Sequence, residues 1–240
     1  MTVYMLSEAL SFPSPEKADE EGLLAIGGDL TPDRIELAYS MGIFPWYSEG
    51  DPLMWWSPDP RMVIRPEEFR PSRSLRKVYG KSTYRLSMDT DFEAVVRQCA
   101  RVPRRGQDGT WITEDMINAY LALHESGIGH SVECWDGDKL VGGLYGLSLG
   151  DCFFGESMFS KQSDVSKLAF WALMQYAEMI GIKFVDCQLY NDHLASLGAY
   201  PIPRSKFLQR LYRDVQADTR LGPWTERFEK VLESGLTVSD

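Results

Sequence analysis

The 240-residue chain lacks the features that would settle its class at once. It has no long apolar run: the longest stretch without a charged residue is 37–48, broken by Gly42 and Pro45. A membrane-spanning helix needs roughly 20 apolar residues, so none is expected, and no membrane partner either. The first ten residues, MTVYMLSEAL, lack a basic start followed by an apolar core, so a secretory leader is not expected. Cysteine is scarce. Cys99, Cys134, Cys152 and Cys187 lie far apart with no CxxC pair, and His124, His130 and His193 are equally scattered. That spacing argues against a zinc site. Buried thiols are the ordinary outcome for Cys134 and Cys152, which sit in strand-like stretches. No metal is expected, and a cytoplasmic location is. Repeats and low-complexity tracts are absent.

What is present is ordinary globular composition, with 44% hydrophobic and 25% charged residues. The net charge of −10 looks wrong for a nucleic-acid binder. Its distribution says otherwise. Residues 61–105 hold 12 of the 25 Lys and Arg but only 5 of the 35 Asp and Glu, a net of +7, which leaves −17 on the remainder. A basic segment suits a polyanion and an acidic remainder suits a cationic partner. The ordinary alternative is solvated surface with no partner.

Residues 1–60 are rich in Pro, Gly and aromatics and predict turns more than long elements. One helix stands out, with Thr31 as N-cap, Pro32 at the first position and Gly42 able to take the left-handed C-cap. A small, loop-rich N-terminal domain is expected over 1–60 and a larger domain over 61–240. In the second part, 83–88 reads as a strand and 91–101 as a helix. The stretch RVPRRGQDG reads as a loop, and Thr113 caps a further helix that ends at Gly127. Strand-like runs follow at 130–135, 139–148 and 152–160, joined by Asp136-Gly137-Asp138 and Leu149-Gly150-Asp151, an antiparallel meander. A largely buried helix over 164–180 with Ser163 as candidate cap, a strand over 182–189 and a helix from about 206 complete the order. That last helix has a basic outer side of Lys206, Arg210 and Arg213. This order is that of a GNAT-type acyltransferase, an α/β (α+β) fold whose fourth and fifth strands splay around the acyl donor. The analogy concerns fold, and fold alone does not give function.

CoA-dependent members of that class hold pyrophosphate on a Gly-rich loop after the fourth strand. Here the matching stretch is SKQSDVSK, without glycine, which argues against CoA. Asp186 and Gln188 are two apart on a strand and should face the same way. A carboxylate beside a carboxamide could orient an amine and accept its proton, or be no more than a hydrogen-bonded polar pair. Alternation also places Glu156, Met158 and Ser160 on one side of their strand. Of the seven tryptophans, Trp55 and Trp56 read as packing between the two domains. For Trp46, and for Trp111 just after the basic stretch, stacking on a nucleobase and plain packing stay open.

Six strings then occur in a family's order: EGLLAIGGDL (21–30), AYSMGIFPWY (38–47), WWSPDPR (55–61), GTWIT (109–113), GESMFS (155–160) and DCQLYNDHLASLGAYPIPR (186–204). Through them the chain resembles the leucyl/phenylalanyl-tRNA–protein transferases of the bacterial N-degron pathway. The resemblance implies an enzyme that moves Leu, Phe or less often Met from aminoacyl-tRNA to the α-amino group of proteins beginning with Arg or Lys. No cofactor is implied, and a monomer is expected. Position by position, it implies that Asp186 and Gln188 activate the acceptor amine, with either Asp186 or a tRNA ribose hydroxyl taking the proton. Trp46 and Trp111 would hold the terminal adenosine, and Glu156, Met158 and Asn191 would surround the aminoacyl group. Leu144, Phe153, Met158, Phe170 and Leu173 are the candidates to line its side-chain pocket. Arg65, Arg73, Arg76, Lys77 and Lys81 are the candidates to meet tRNA phosphates. Two rivals remain: a non-catalytic module that binds tRNA and acceptor, and a CoA-dependent N-acetyltransferase.

Overall fold

The computed structural model describes residues 3–81, 83–102 and 111–236. Most of the expected RVPRRGQDG loop therefore lies outside the described residues.

Two sheets organise the described residues. The first joins β1 (Tyr4–Leu6), β2 (Leu23–Gly27), β3 (Phe44–Pro45) and β4 (Met54–Trp56) in the order β1-β2-β4-β3, with α1 (Pro32–Ser40) between β2 and β3. Sequence reading expected turns here, because strands of two to five residues leave no alternation to read. Thr31 is the N-cap residue of α1 and Pro32 follows at its first position, as expected, but the Thr31 hydroxyl donates to Asp29 Oδ1 at 2.5 Å and makes no side-chain capping bond.

The second sheet runs β11-β5-β10-β9-β8-β7-β6. Its strands are β5 (Arg61–Ile64), β6 (Arg85–Met88), β7 (Gly129–Asp136), β8 (Lys139–Leu149), β9 (Cys152–Ser160), β10 (Phe184–Gln188) and β11 (Tyr200–Ile202). The meander β7-β8-β9 is antiparallel as expected, and α5 (Val165–Ile180) crosses over so that β10 returns parallel to β9. The expected cap Ser163 is replaced by Asp164, held in a left-handed conformation (φ 67°) with no side-chain capping bond.

α5 buries Leu168, Phe170, Trp171, Leu173 and Met174 on one face of this sheet, beside α2 (Arg73–Lys81) and α8 (Thr225–Ser234). The other face carries α3 (Phe92–Arg101), α4 (Glu114–Glu125), α7 (Arg204–Asp214) and the first sheet. There Tyr39 and Trp55 share one cluster with Phe154, Phe184 and Phe207, so the core of the first sixty residues is continuous with that of the rest. Each such buried large side chain contributes about 1.5–3 kcal/mol. The two faces follow from strand alternation: Met62 and Ile64 point to the α5 side, Val63 to the other. A short helix, α6 (Asp192–Ser196), links β10 to β11.

Candidate active site

The ladder between β9 and β10 pairs Phe184 with Cys152 and ends where Asp186 meets Phe154. β9 runs on to Ser160 without that neighbour. A cavity of about 510 Å³ opens at this parting. Its apolar wall is Leu144, Met158, Phe170, Leu173, Val185 and Leu194, and Leu144 and Met158 sit opposite each other across β8 and β9. Trp46, Trp111, Glu156, Gln188 and Asn191 also face it.

Two irregularities in the strands create the polar end. On β9, Ser157 pairs with Tyr145 and Gly155 with Gly146, so Glu156 is the extra residue of a β-bulge. Bulges re-aim side chains, commonly beside functional sites. Gly146 is needed there, since a Cβ would sit 2.1 Å from the Phe154 carbonyl oxygen. On β10, the register shifts between Asp186 and Gln188, and Gln188 adopts a left-handed backbone with φ of 63°. For a side-chain-bearing residue that conformation costs about 1–3 kcal/mol. It also breaks the alternation, so Asp186 and Gln188 do not face the same way.

Gln188 turns into the cavity, and its Nε2 donates to Glu156 Oε1 at 3.0 Å. Tyr39 Oη donates to the same oxygen at 2.6 Å, and Tyr120 Oη donates to Oε2 at 2.6 Å. The two phenols are themselves 2.8 Å apart. Burial pushes the Glu156 carboxyl up to about 7, against the pull of three donors that favour its ionised form. Burial beside this carboxylate also pushes both phenols well above their usual range.

Asp186 turns the other way. It is fully buried and does not line the cavity. Its two oxygens take Arg61 Nε at 2.9 Å and Nη2 at 2.7 Å, and Oδ1 also accepts the Gln188 backbone N–H at 2.9 Å. The expected position of Asp186 beside the substrate amine is thus corrected: its carboxylate is spent on a buried bidentate pair behind the site. Phe153 is corrected too. It shares the α5 face with Leu144 and Met158 but lies in the core beside Trp224, ring centroids 5.9 Å apart, at a point where β9 is still paired with β10 and the opening has not begun.

The indoles divide as follows. Trp55 is completely buried, donating to the Gly27 carbonyl, whereas Trp46 and Trp111 border the cavity. Trp46 is braced edge-on by Trp56, which donates to the Trp46 carbonyl at 2.7 Å. Asn191 borders the opening while its Oδ1 accepts from the His193 and Leu194 backbone N–H groups, capping α6. The basic candidates Arg73, Arg76, Lys77 and Lys81 project from the exposed side of α2, whose Leu75 is buried. Arg65 is answered locally by Glu67 and Glu68. Sequence reading assigned no role to Tyr39, Arg61 or Tyr120. Tyr39 and Arg61 lie inside quoted motifs, but nothing in their spacing announces partners on distant strands.

A sheet whose neighbouring parallel strands part over a cleft, with a carboxylate–carboxamide pair at one end and an apolar wall at the other, defines a protein of the acyltransferase class. Similarity to known proteins specifies which. The family models for the leucyl/phenylalanyl-tRNA protein transferase and its N-terminal domain match residues 63–212 and 28–59. The leucyl/phenylalanyl-tRNA–protein transferase of Thermodesulfovibrio yellowstonii is 53% identical over 95% of this chain and 93% of its own. The protein of that name from Desulforapulum autotrophicum is 52% identical over 93% and 98%, and that from Myxococcus xanthus 50% over 94% and 97%. This chain belongs to the leucyl/phenylalanyl-tRNA–protein transferase family.

Proposed function

We propose that the protein transfers leucine or phenylalanine, and less readily methionine, from aminoacyl-tRNA to the α-amino group of proteins that begin with Arg or Lys, marking them for degradation in the cytoplasm. The observation that carries this reading is the cavity itself. Leu144, Met158, Phe170 and Leu173 form a wall for an apolar donor side chain, and the Glu156–Gln188 pair waits at its polar end.

An aminoacyl ester is already activated. Its aminolysis needs positioning, a neutral amine and stabilisation of the tetrahedral oxyanion. The amine nitrogen attacks the ester carbonyl, the C–N bond forms, the C–O bond to ribose breaks, and a proton passes to the leaving ribose oxygen. Gln188 fits the amine-orienting role: with Nε2 committed to Glu156, its Oε1 is left to accept a hydrogen bond from the incoming nitrogen. Trp46 and Trp111 offer aromatic faces to the terminal adenosine, worth about 1–3 kcal/mol per stacked base. Arg73, Arg76, Lys77 and Lys81 supply charge for tRNA phosphates, with Arg65 contributing less because its charge is already paired.

The test is to mix the protein with labelled Leu-tRNA and an Arg-initiated peptide. Labelled peptide is the expected product, and acetyl-CoA in place of the tRNA should give no acetylated peptide. Binding of both substrates without transfer would mean a non-catalytic module instead.

A further inference from the structure

We propose that Arg61 is a positioning residue of the transfer reaction, holding Gln188 in its cavity-facing conformation through Asp186. The inference rests on the transfer activity proposed above and assigns work to a residue outside the cavity.

Three observations carry it. First, Arg61 is completely buried, and each of its three guanidinium nitrogens donates a hydrogen bond. Nε and Nη2 grip Asp186, and Nη1 donates to the Gly42 carbonyl at 3.1 Å. Its guanidinium lies between the rings of Phe44, at 4.8 Å, and Phe207, at 4.6 Å. The side chain therefore cannot shift without moving the turn after α1, β3 or α7. Second, the Asp186 oxygen held by Arg61 Nε is the one that accepts the Gln188 backbone N–H. Third, Gln188 is left-handed at φ 63°, in a strand whose alternation would otherwise turn its side chain the same way as that of Asp186. The hydrogen bond from its own amide to Asp186 Oδ1 closes that local turn. Arg61 fixes Asp186, Asp186 fixes the Gln188 amide, and the turned backbone delivers the carboxamide to Glu156 and to the cavity. The carboxylate then serves as a backbone acceptor, and what it needs is a fixed oxygen rather than a negative charge at the substrate.

Two double variants separate this from direct proton transfer by Asp186. In Arg61→Met with Asp186→Leu, two apolar side chains replace the buried pair, an exchange that often preserves folding, and no acceptor remains for the Gln188 N–H. Misplacement of a reacting group by about 1 Å can cost about 10²-fold, so kcat should fall about that much with KM for Leu-tRNA little changed. In Arg61→Gln with Asp186→Asn, the introduced carboxamide keeps an Oδ1 acceptor without charge. There kcat should fall by no more than about tenfold and the pH profile of kcat should keep its shape. Amide exchange at Gln188, read without any substrate, should stay protected in wild type and the Gln/Asn pair and lose protection in the Met/Leu pair.

A Gln/Asn pair as slow as the Met/Leu pair with Gln188 still protected, or a Met/Leu pair with wild-type kcat, would overturn the proposal. If neither double variant folds, Arg61→Lys serves, since it keeps the charge but loses the planar fork. It should lower kcat at unchanged KM for Leu-tRNA, and an unchanged kcat would be equally fatal. Absence of transfer by the wild type, with Gln188 exchange behaving as stated, would refute the functional reading and leave the positioning role of Arg61 on Gln188 standing.

Discussion

Glu156 makes stability and pH interdependent in a direction opposite to the usual carboxylate. Its carboxyl rises from an ordinary 4.5 to about 7 on folding, with burial the largest cause. At about 1.36 kcal/mol per pH unit, that rise corresponds to roughly 3 kcal/mol. Below pH 4.5 the group is protonated folded and unfolded alike, so it costs nothing. Between 4.5 and 7 the folded chain keeps a proton that the unfolded chain has released, so stability falls as pH rises. Above 7 both forms are ionised and the full cost persists. Glu156→Gln removes the charge and with it the cost, while weakening the bonds from Tyr39, Tyr120 and Gln188 by about 1 kcal/mol. The net gain at about pH 8 should be about 2 kcal/mol, which raises Tm by roughly 4–8 °C in a chain of this size. At pH 4.5 the variant should match the wild type or fall slightly below it. Thermal unfolding of both proteins at the two pH values is the assay. A Tm difference that is the same at both would mean that Glu156 does not titrate between them, and the account of its burial would be wrong. The stabilised variant should also transfer poorly, as expected where a site keeps a group the fold would rather lose.

Donor choice should respond to the facing pair Leu144 and Met158: a branch at Cβ widens a side chain next to the ester, so Met158→Ala should admit Ile while weakening Leu, read as the ratio of transfer from Ile-tRNA and Leu-tRNA. Reversing Arg73 and Lys77 to Glu should raise the apparent KM for tRNA and flatten the slope of log K against log salt by about 2, since each neutralised phosphate contributes roughly 0.9. A 3′-aminoacyl-adenosine, too short to reach α2, should react nearly as before. Gly42→Ala should destabilise by about 1–3 kcal/mol, seen in urea unfolding. Its φ is 78°, and a Cβ there would lie 2.7 Å from Leu208 Cδ2 and 2.9 Å from Phe207 Cε1.

Much of the stretch from residue 61 onward was legible because its signals are local. Asp91 and Thr113 cap their helices through side chains as the residue types suggest, accepting from the Ala94 and Met116 N–H groups. Gly127 takes the left-handed stop, and the meander strands fall within a residue or two of the expected bounds. α8 was missed although Trp224, Phe228 and Val231, spaced four and three apart, carry a readable helical stripe that packs on α5. The first sheet and β5 were not legible, since strands this short pair only because distant partners are already in place.

The site divides the same way. Residue types and motif order marked Glu156, Gln188, Trp46 and Trp111, and all four border one cavity. Which way Asp186 and Gln188 point was beyond the sequence, because period-two alternation holds only while a strand stays regular. The register shift and the left-handed Gln188 are set by what lies across the ladder: Arg61 on β5, itself wedged between Phe44 and Phe207. The sequence by itself determined the local elements and the inventory of reactive groups, through propensities acting over a few residues. Only the tertiary structure decided that the carboxylate read as one of two candidate proton acceptors is locked to a buried arginine, because that pairing joins residues 125 apart and depends on three-dimensional packing that no local pattern encodes.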